Sequence, residues 1–165
     1  MATKELTLEI ASDLSQLSKV EAFVEQLCDE FNIYNNYYSN ILVAVTEAFT
    51  NAVQHGNRND LTKIVTIKFN LAPAGLLFSI EDQGLGFNSD FIPDPTDIRN
   101  LDAFAGRGIY LIKHLSDEVN FVNNGTKIEM LFKISSINQE TSIKRADLFK
   151  DYIMAGSKKY SESNG

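Results

Sequence analysis

Residues 63–82 read KIVTIKFNLAPAGLLFSIED, two runs whose apolar side chains fall on every second position, joined at Ala72-Pro73-Ala74-Gly75. A period of two sends neighbouring side chains to opposite faces, so these runs predict a β-hairpin with one apolar face. Residues 4–10 alternate in the same way through Leu6, Leu8 and Ile10 and predict a further strand. What covers the apolar face has the helical period instead. Ser12 or Asp13 is placed to cap a helix to about Phe31, with Leu14, Leu17, Val20, Val24 and Leu27 as its stripe. YNNYYSN interrupts and re-caps before a second helix, from about Asn36 to His55, and Gly56 follows where a left-handed residue commonly ends a helix. A short helix from about Gly106 to Leu115 precedes a last hairpin, 118–123 with 126–134, turning at Asn124-Gly125. The order β-α-α-β-β-α-β-β predicts an α+β two-layer sandwich, a largely antiparallel sheet with its helices on one face.

Several function classes are excluded early. The chain has 165 residues, enough for one domain with a core, and a net charge of −7, which argues against holding nucleic acid or anionic lipid by bulk charge. Its one cysteine, Cys28, allows no internal disulfide and no cysteine zinc cluster, and it lies in an apolar-periodic stretch as a small buried hydrophobe would. No signal-peptide core and no membrane-length apolar run occurs, so a reduced, soluble, cytoplasmic protein is expected. There is no P-loop, no H-E-x-x-H, and no G-x-S-x-G. His55 and His114 alone do not make an ordinary zinc site, and His114 reads as structural or exposed.

Four polar stretches interrupt the apolar pattern. In EAFTNAVQHGN, residues 47–57, Glu47, Asn51 and His55 recur every fourth position and form a slanting ridge, successive members about 40° apart, beside the apolar arc of the helix. In IEDQGLGF, residues 80–87, Asp82 shares the parity of Leu76, Phe78 and Ile80, so its carboxylate faces the core side and needs donors. Gly84 and Gly86 let the following backbone turn sharply. In AGRGIYLIK, residues 105–113, Gly106, Arg107 and Gly108 open a helix and offer N–H groups and a guanidinium to an anion. Thr126 repeats the Asp82 pattern on the last strand, with the parity of Ile128, Met130 and Phe132. Each stretch also has a plain structural reading: a solvated ridge, a turn after a strand, an ordinary helix start, a threonine bonded to backbone.

Taken in order, E-x-x-x-N-A-x-x-H-G, D-x-G-x-G-F, G-x-G-I and the final G-T resemble the four sequence boxes of the GHKL (Bergerat-fold) ATP-binding superfamily. The resemblance spans roughly residues 5–134, and within the superfamily the chain is most similar to the RsbW/SpoIIAB-type anti-sigma-factor serine kinases. It implies a mostly antiparallel mixed sheet with a lid over the nucleotide, supplied by residues 83–105. It implies a protein serine/threonine kinase using ATP and Mg²⁺. Asn51 would hold the metal and Glu47 would act as general base toward a serine or threonine hydroxyl. Asp82 would accept from the adenine amino group, with Thr126 supporting it through water. Gly84 and Gly86 would allow close approach to the nucleotide, and Gly106, Arg107 and Gly108 would meet the phosphates. It also implies a homodimer, a STAS-type anti-anti-sigma protein as acceptor and a sigma factor as sequestered partner, with no direct contact to nucleic acid or membrane.

The kinase domain is thus expected over 1–134. Residues 135–165 form an extension in which Ala146, Phe149, Tyr152 and Ile153 suggest a short helix before a disordered end. His55 stays open between a phosphate-side contact and a helix-end position suited to the dipole. Two other functions stay open as well: a non-catalytic ATP-binding module that switches partners, and a stand-alone histidine-kinase catalytic domain.

Overall fold

The computed structural model describes residues 4–33, 35–86, 104–133 and 148. Five strands, β1 (Glu5–Ala11), β2 (Ile64–Ala72), β3 (Gly75–Glu81), β4 (Glu118–Val122) and β5 (Lys127–Phe132), form one sheet in the order β1-β2-β3-β5-β4. Every pairing among them is antiparallel. Three helices, α1 (Leu17–Glu30), α2 (Asn35–Asn51) and α3 (Phe104–Leu115), complete the described elements of any length.

The register explains the layering. Leu8, Ile67, Ile80, Ile128 and Phe121 pair in turn across all five strands, and Leu6, Phe69, Phe78, Met130 and Val119 form the next such row. Odd and even positions alternate faces, so a slip of one residue would expose both rows. The opposite face carries Thr7, Lys68, Ser79, Glu129 and Asn120 in the matching row. Against the apolar face the helices bury Val20, Val24, Leu27, Ile41, Ala44, Val45, Ala48, Phe49, Leu111, Ile112 and Leu115. Phe69 stands at the centre of an aromatic chain, with ring centroids 5.3 Å from Phe31 and 5.2 Å from Phe78. Such tilted pairs add to the area that they bury. Cys28 is buried on α1, and burial, then Asp29, pushes its thiol up to about 11, so it is an inert core side chain.

Three local outcomes differ from the sequence expectation. Asp13 caps as expected, its carboxylate accepting from the Ser15 amide at 3.0 Å, but the first turn is a 3₁₀ turn over Leu14–Gln16 before α1 begins. Gly56 is not left-handed; Arg58 (φ 54°) and Asn59 (φ 59°) take that role. The last hairpin is wider than a two-residue turn. Val122 pairs with Lys127, and Asn123 (φ 53°), Asn124 (φ 56°) and Gly125 (φ 83°) turn the chain through three successive left-handed residues. Asparagine tolerates that region better than most residues, which makes NNG suited to this loop.

The expected lid falls mostly on residues 87–103, and the expected helix within 135–165 falls on residues that are, except for Leu148, outside those described. Among the described residues no helix is long and apolar enough to cross a membrane.

Phe69→Ala removes the middle ring of the aromatic chain. Urea unfolding is expected to show a loss of about 3–5 kcal/mol with little change in the slope m, the usual cost of emptying a core aromatic site.

Candidate functional site

The α-helical pattern of α2 ends at Asn51, and Ala52–Gly56 continue as a π turn in which the Asn57 amide donates to the Ala52 carbonyl, five residues back, at 2.8 Å. The wider turn changes the direction of every later side chain, and such π insertions are frequent at functional positions. Glu47 and Asn51, before it, are half-buried; His55, within it, is exposed. The ridge expected from a uniform 3.6-residue period therefore stops after its second member.

Glu47 and Asn51 meet α3 at a glycine. A Cβ placed on Gly108 would stand 2.8 Å from Asn51 Nδ2, 3.3 Å from Asn51 Oδ1 and 3.1 Å from Glu47 Oε2. Absence of a side chain at 108 is what lets the start of α3 approach both polar groups at once. Gly106 and Arg107 lie in the first turn of α3, and the Arg107 side chain is outside the described residues. Further along α3, His114 is exposed and its Nδ1 lies 2.8 Å from the Tyr110 carbonyl.

Asp82 builds the other end. Its amide donates to the Thr126 carbonyl at 2.8 Å, prolonging the β3–β5 pairing by one residue. Its carboxylate accepts from the Gly84 amide at 2.8 Å and lies directly against Gly56, where any Cβ would overlap the carboxylate atoms. Gly56 is thus required for space and not for a left-handed conformation. Gly84 packs against the Gly56 carbonyl, where a side chain would collide with backbone. Gly86, at φ +77°, sits against the Asn124 carbonyl, and a Cβ there would lie 3.2 Å from Thr126 Cγ2. Thr126 precedes β5, and its hydroxyl donates to the Asn123 carbonyl at 2.8 Å.

Two groups therefore emerge from the sequence-selected residues. Glu47, Asn51 and Gly108 meet between α2 and α3; Asp82, Gly84, Gly86 and Thr126 meet at the sheet end. The π turn and Gly56 connect them. His55 joins neither polar contact.

Burial pushes the Asp82 carboxyl above its ordinary range; Glu81 adds to the rise, while the Gly84 N–H and Lys63 oppose it. Among the described residues no group of three or more histidine, cysteine, aspartate or glutamate side chains forms a ready metal cage.

Asn57 is the residue that sequence reasoning passed over. Only 1% exposed, it donates from Nδ2 to Ser12 Oγ and to the Ile64 carbonyl, both at 3.0 Å, and accepts from the Gln83 amide at 2.7 Å. An asparagine following a glycine after a helix reads as a turn residue, so the sequence carries no local sign of this burial.

Comparison with known proteins places these elements in a family context. A family model described as a histidine kinase-like ATPase domain matches residues 10–132. The chain is 32% identical over 111 residues to the serine-protein kinase RsbW of Bacillus subtilis (strain 168), covering 62% of this chain and 69% of that protein. It is 32% identical over 125 residues to an anti-sigma F factor of Bacillus cereus (strain G9842), covering 72% of this chain and 82% of that one. A solved structure of the RsbU and RsbW domains of a Mycobacterium tuberculosis protein shares the fold, with a TM-score of 0.58 at 18% identity, over 79% of this chain and 32% of that chain.

Asp82→Asn keeps an oxygen to accept from Gly84 and removes the charge that burial disfavours. Because burial holds the folded carboxyl above the ordinary aspartate range, stability falls as pH rises from that range through the folded value and stays lowered above it. Thermal unfolding without ligand is expected to give the variant an equal or higher Tm at neutral pH, with the difference shrinking as pH falls toward the ordinary aspartate range.

Proposed function

Since the chain belongs to the histidine kinase-like ATPase family, we propose that it is an ATP- and Mg²⁺-dependent protein serine/threonine kinase of the anti-sigma-factor type. Its acceptor on this reading is a STAS-type anti-anti-sigma protein, and a sigma factor is the partner it sequesters. Two relatives bearing the names serine-protein kinase and anti-sigma F factor support that choice within the family. The observation that carries it is the convergence of Glu47 Oε2 and the Asn51 side-chain amide on the space that a Cβ at Gly108 would fill.

Each residue suits a separate task. Glu47 Oε2 would take the proton from the acceptor hydroxyl, for which a carboxylate within hydrogen-bond reach is sufficient. Asn51 Oδ1 is a neutral hard oxygen, the kind of donor that Mg²⁺ accepts while retaining phosphate and water ligands. The donor set at Gly108 is an amide and a carboxylate, with neither thiolate nor imidazole, and fits that ion. When bound, Mg-ATP supplies the phosphoryl group and the neutralisation of its charge.

Asp82 would orient the base by accepting from the adenine amino group. Thr126 Oγ1, which donates to the Asn123 carbonyl, keeps lone pairs with which to hold a bridging water. Gly84 and Gly86 would leave the backbone open to the nucleotide, and Gly106, Arg107 and Gly108 would face the phosphates from the start of α3. The proposal takes 1–134 as the kinase domain of a homodimer and 135–165 as an extension available for partner docking.

Glu47→Gln is expected to lower phosphoryl transfer to a STAS acceptor by about 10²-fold or more while Mg-ATP binding persists. Acid-stable label on the acceptor is the accompanying sign of phosphoserine or phosphothreonine. Full activity of the variant, or acid-labile label, would contradict the assignment. Gly108→Ala provides a second test. Its methyl meets side-chain ends that can give way, and alanine favours a helix by about 0.5–1 kcal/mol, so Tm should hold. The Mg²⁺-dependence of ATP binding should fall because Asn51 is displaced.

A further inference from the structure

We propose that Asn57 is the positioning residue for Asp82, and that its hold on the Gln83 amide sets the preference for adenine over guanine nucleotides. This rests on the reading of Asp82 as the acceptor for the adenine amino group.

Asn57 ties together segments that are far apart in sequence. Its Nδ2 binds Ser12 Oγ beyond β1 and the Ile64 carbonyl at the start of β2, and its Oδ1 takes the Gln83 amide beyond β3. Its own backbone closes the π turn, donating to the Ala52 carbonyl at 2.8 Å and accepting from the Asp60 amide at 3.1 Å. A buried amide with both its donor and acceptor atoms engaged is rigid, because any rotation leaves polar groups unsatisfied.

The consequence falls on Asp82. Its amide is held by the Thr126 carbonyl at 2.8 Å, and the next amide, at Gln83, is held by Asn57 at 2.7 Å. The Gln83 side chain adds a second tie, its Oε1 accepting from the Ile64 amide at 2.9 Å. The Asp82 Cα is thereby fixed on both sides, and the Gly84 amide fixes the carboxylate. The Cβ-free Gly56 next to that carboxylate belongs to the same π turn, one residue before Asn57. Asn57 thus sets the base-side carboxylate against its seat.

Position matters here because the two purines differ in sign at one edge. Adenine presents an amino donor where guanine presents a carbonyl acceptor. A carboxylate held in place accepts from the first and repels the second. A carboxylate free to move can turn away and be hydrated, which weakens both effects. The Glu47, Asn51 and Gly108 contact lies between α2 and α3, so loss of the Asn57 hold should leave phosphate-side binding in place.

The experiment compares Mg-ADP and Mg-GDP affinities by titration calorimetry on the full chain. Asn57→Ala is expected to lower the ADP preference by about tenfold, the scale of one lost charge-assisted hydrogen bond, while GDP affinity persists. Asn57→Ser, which admits water in place of the amide, serves as the second variant where alanine unfolds the chain. Leu76→Val, a core change at the end of β3 opposite Asp82, controls for stability and should leave the ratio alone. In the wild type, hydrogen exchange at the Gln83 amide should be slow.

An unchanged ratio in Asn57→Ala or Asn57→Ser, an equal fall in Leu76→Val, or a fast-exchanging Gln83 amide would overturn the proposal. A wild type that binds both nucleotides equally would overturn the Asp82 reading itself, and this inference with it.

Discussion

The contact between the Asp82 carboxylate and Gly56 is the constraint on which the rest of the site depends. It joins the first residue beyond β3 to the last residue of a π turn, with no room for a single methyl between them. Because the contact excludes water from part of the carboxylate, it raises the cost of ionisation. The Gly84 N–H, which donates to the carboxylate, and Lys63 offset part of that cost. On the proposed reading, this half-buried acid would accept from a ligand donor, at some expense to the stability of the empty protein.

The same contact explains the form of the helix end. A regular α-helix continued through residue 56 would carry the Glu47 and Asn51 ridge onward to His55. The π turn instead departs from that line after Asn51, leaving His55 in solvent and bringing Gly56 beneath Asp82. Gly108 then closes the opposite end against Glu47 and Asn51. Glycine is used at both ends for space, and only Gly86 among these positions is used for a left-handed backbone. Distinguishing the two uses matters, since a side chain at 56 or 108 would disturb a polar side chain while one at 86 would disturb the chain itself.

Much of the fold was legible because burial on one sheet face imposes a period that sequence displays directly. Leu76, Phe78 and Ile80 follow that rule in the paired rows, and Asp82 beyond them keeps the same side, against Gly56. The helices were legible for the same reason, and their ends less so. A π turn has no distinct residue preference to read, so Gly56 looked like an ordinary helix stop. The Asn124-Gly125 pair suggested a tight turn, but the left-handed stretch begins one residue earlier, at Asn123. Asn57 was invisible for a different reason: its partners are Ser12, Ile64 and Gln83, and only the folded sheet brings those segments together. Candidate site residues on regular elements were found by their parity or spacing; the residue that ties the elements together was not.

The central claim is that Asp82 and the α2–α3 polar contact form two ends of one Mg-nucleotide site. Calorimetric titration with ATP, in the presence and absence of Mg²⁺, tests it most directly when wild type and Asp82→Asn are compared. The account predicts wild-type binding strengthened by the metal and a loss of about tenfold or more in the variant, as expected when a carboxylate acceptor is removed from a partly buried donor. Equal affinity in the two proteins, or binding indifferent to Mg²⁺, would contradict it.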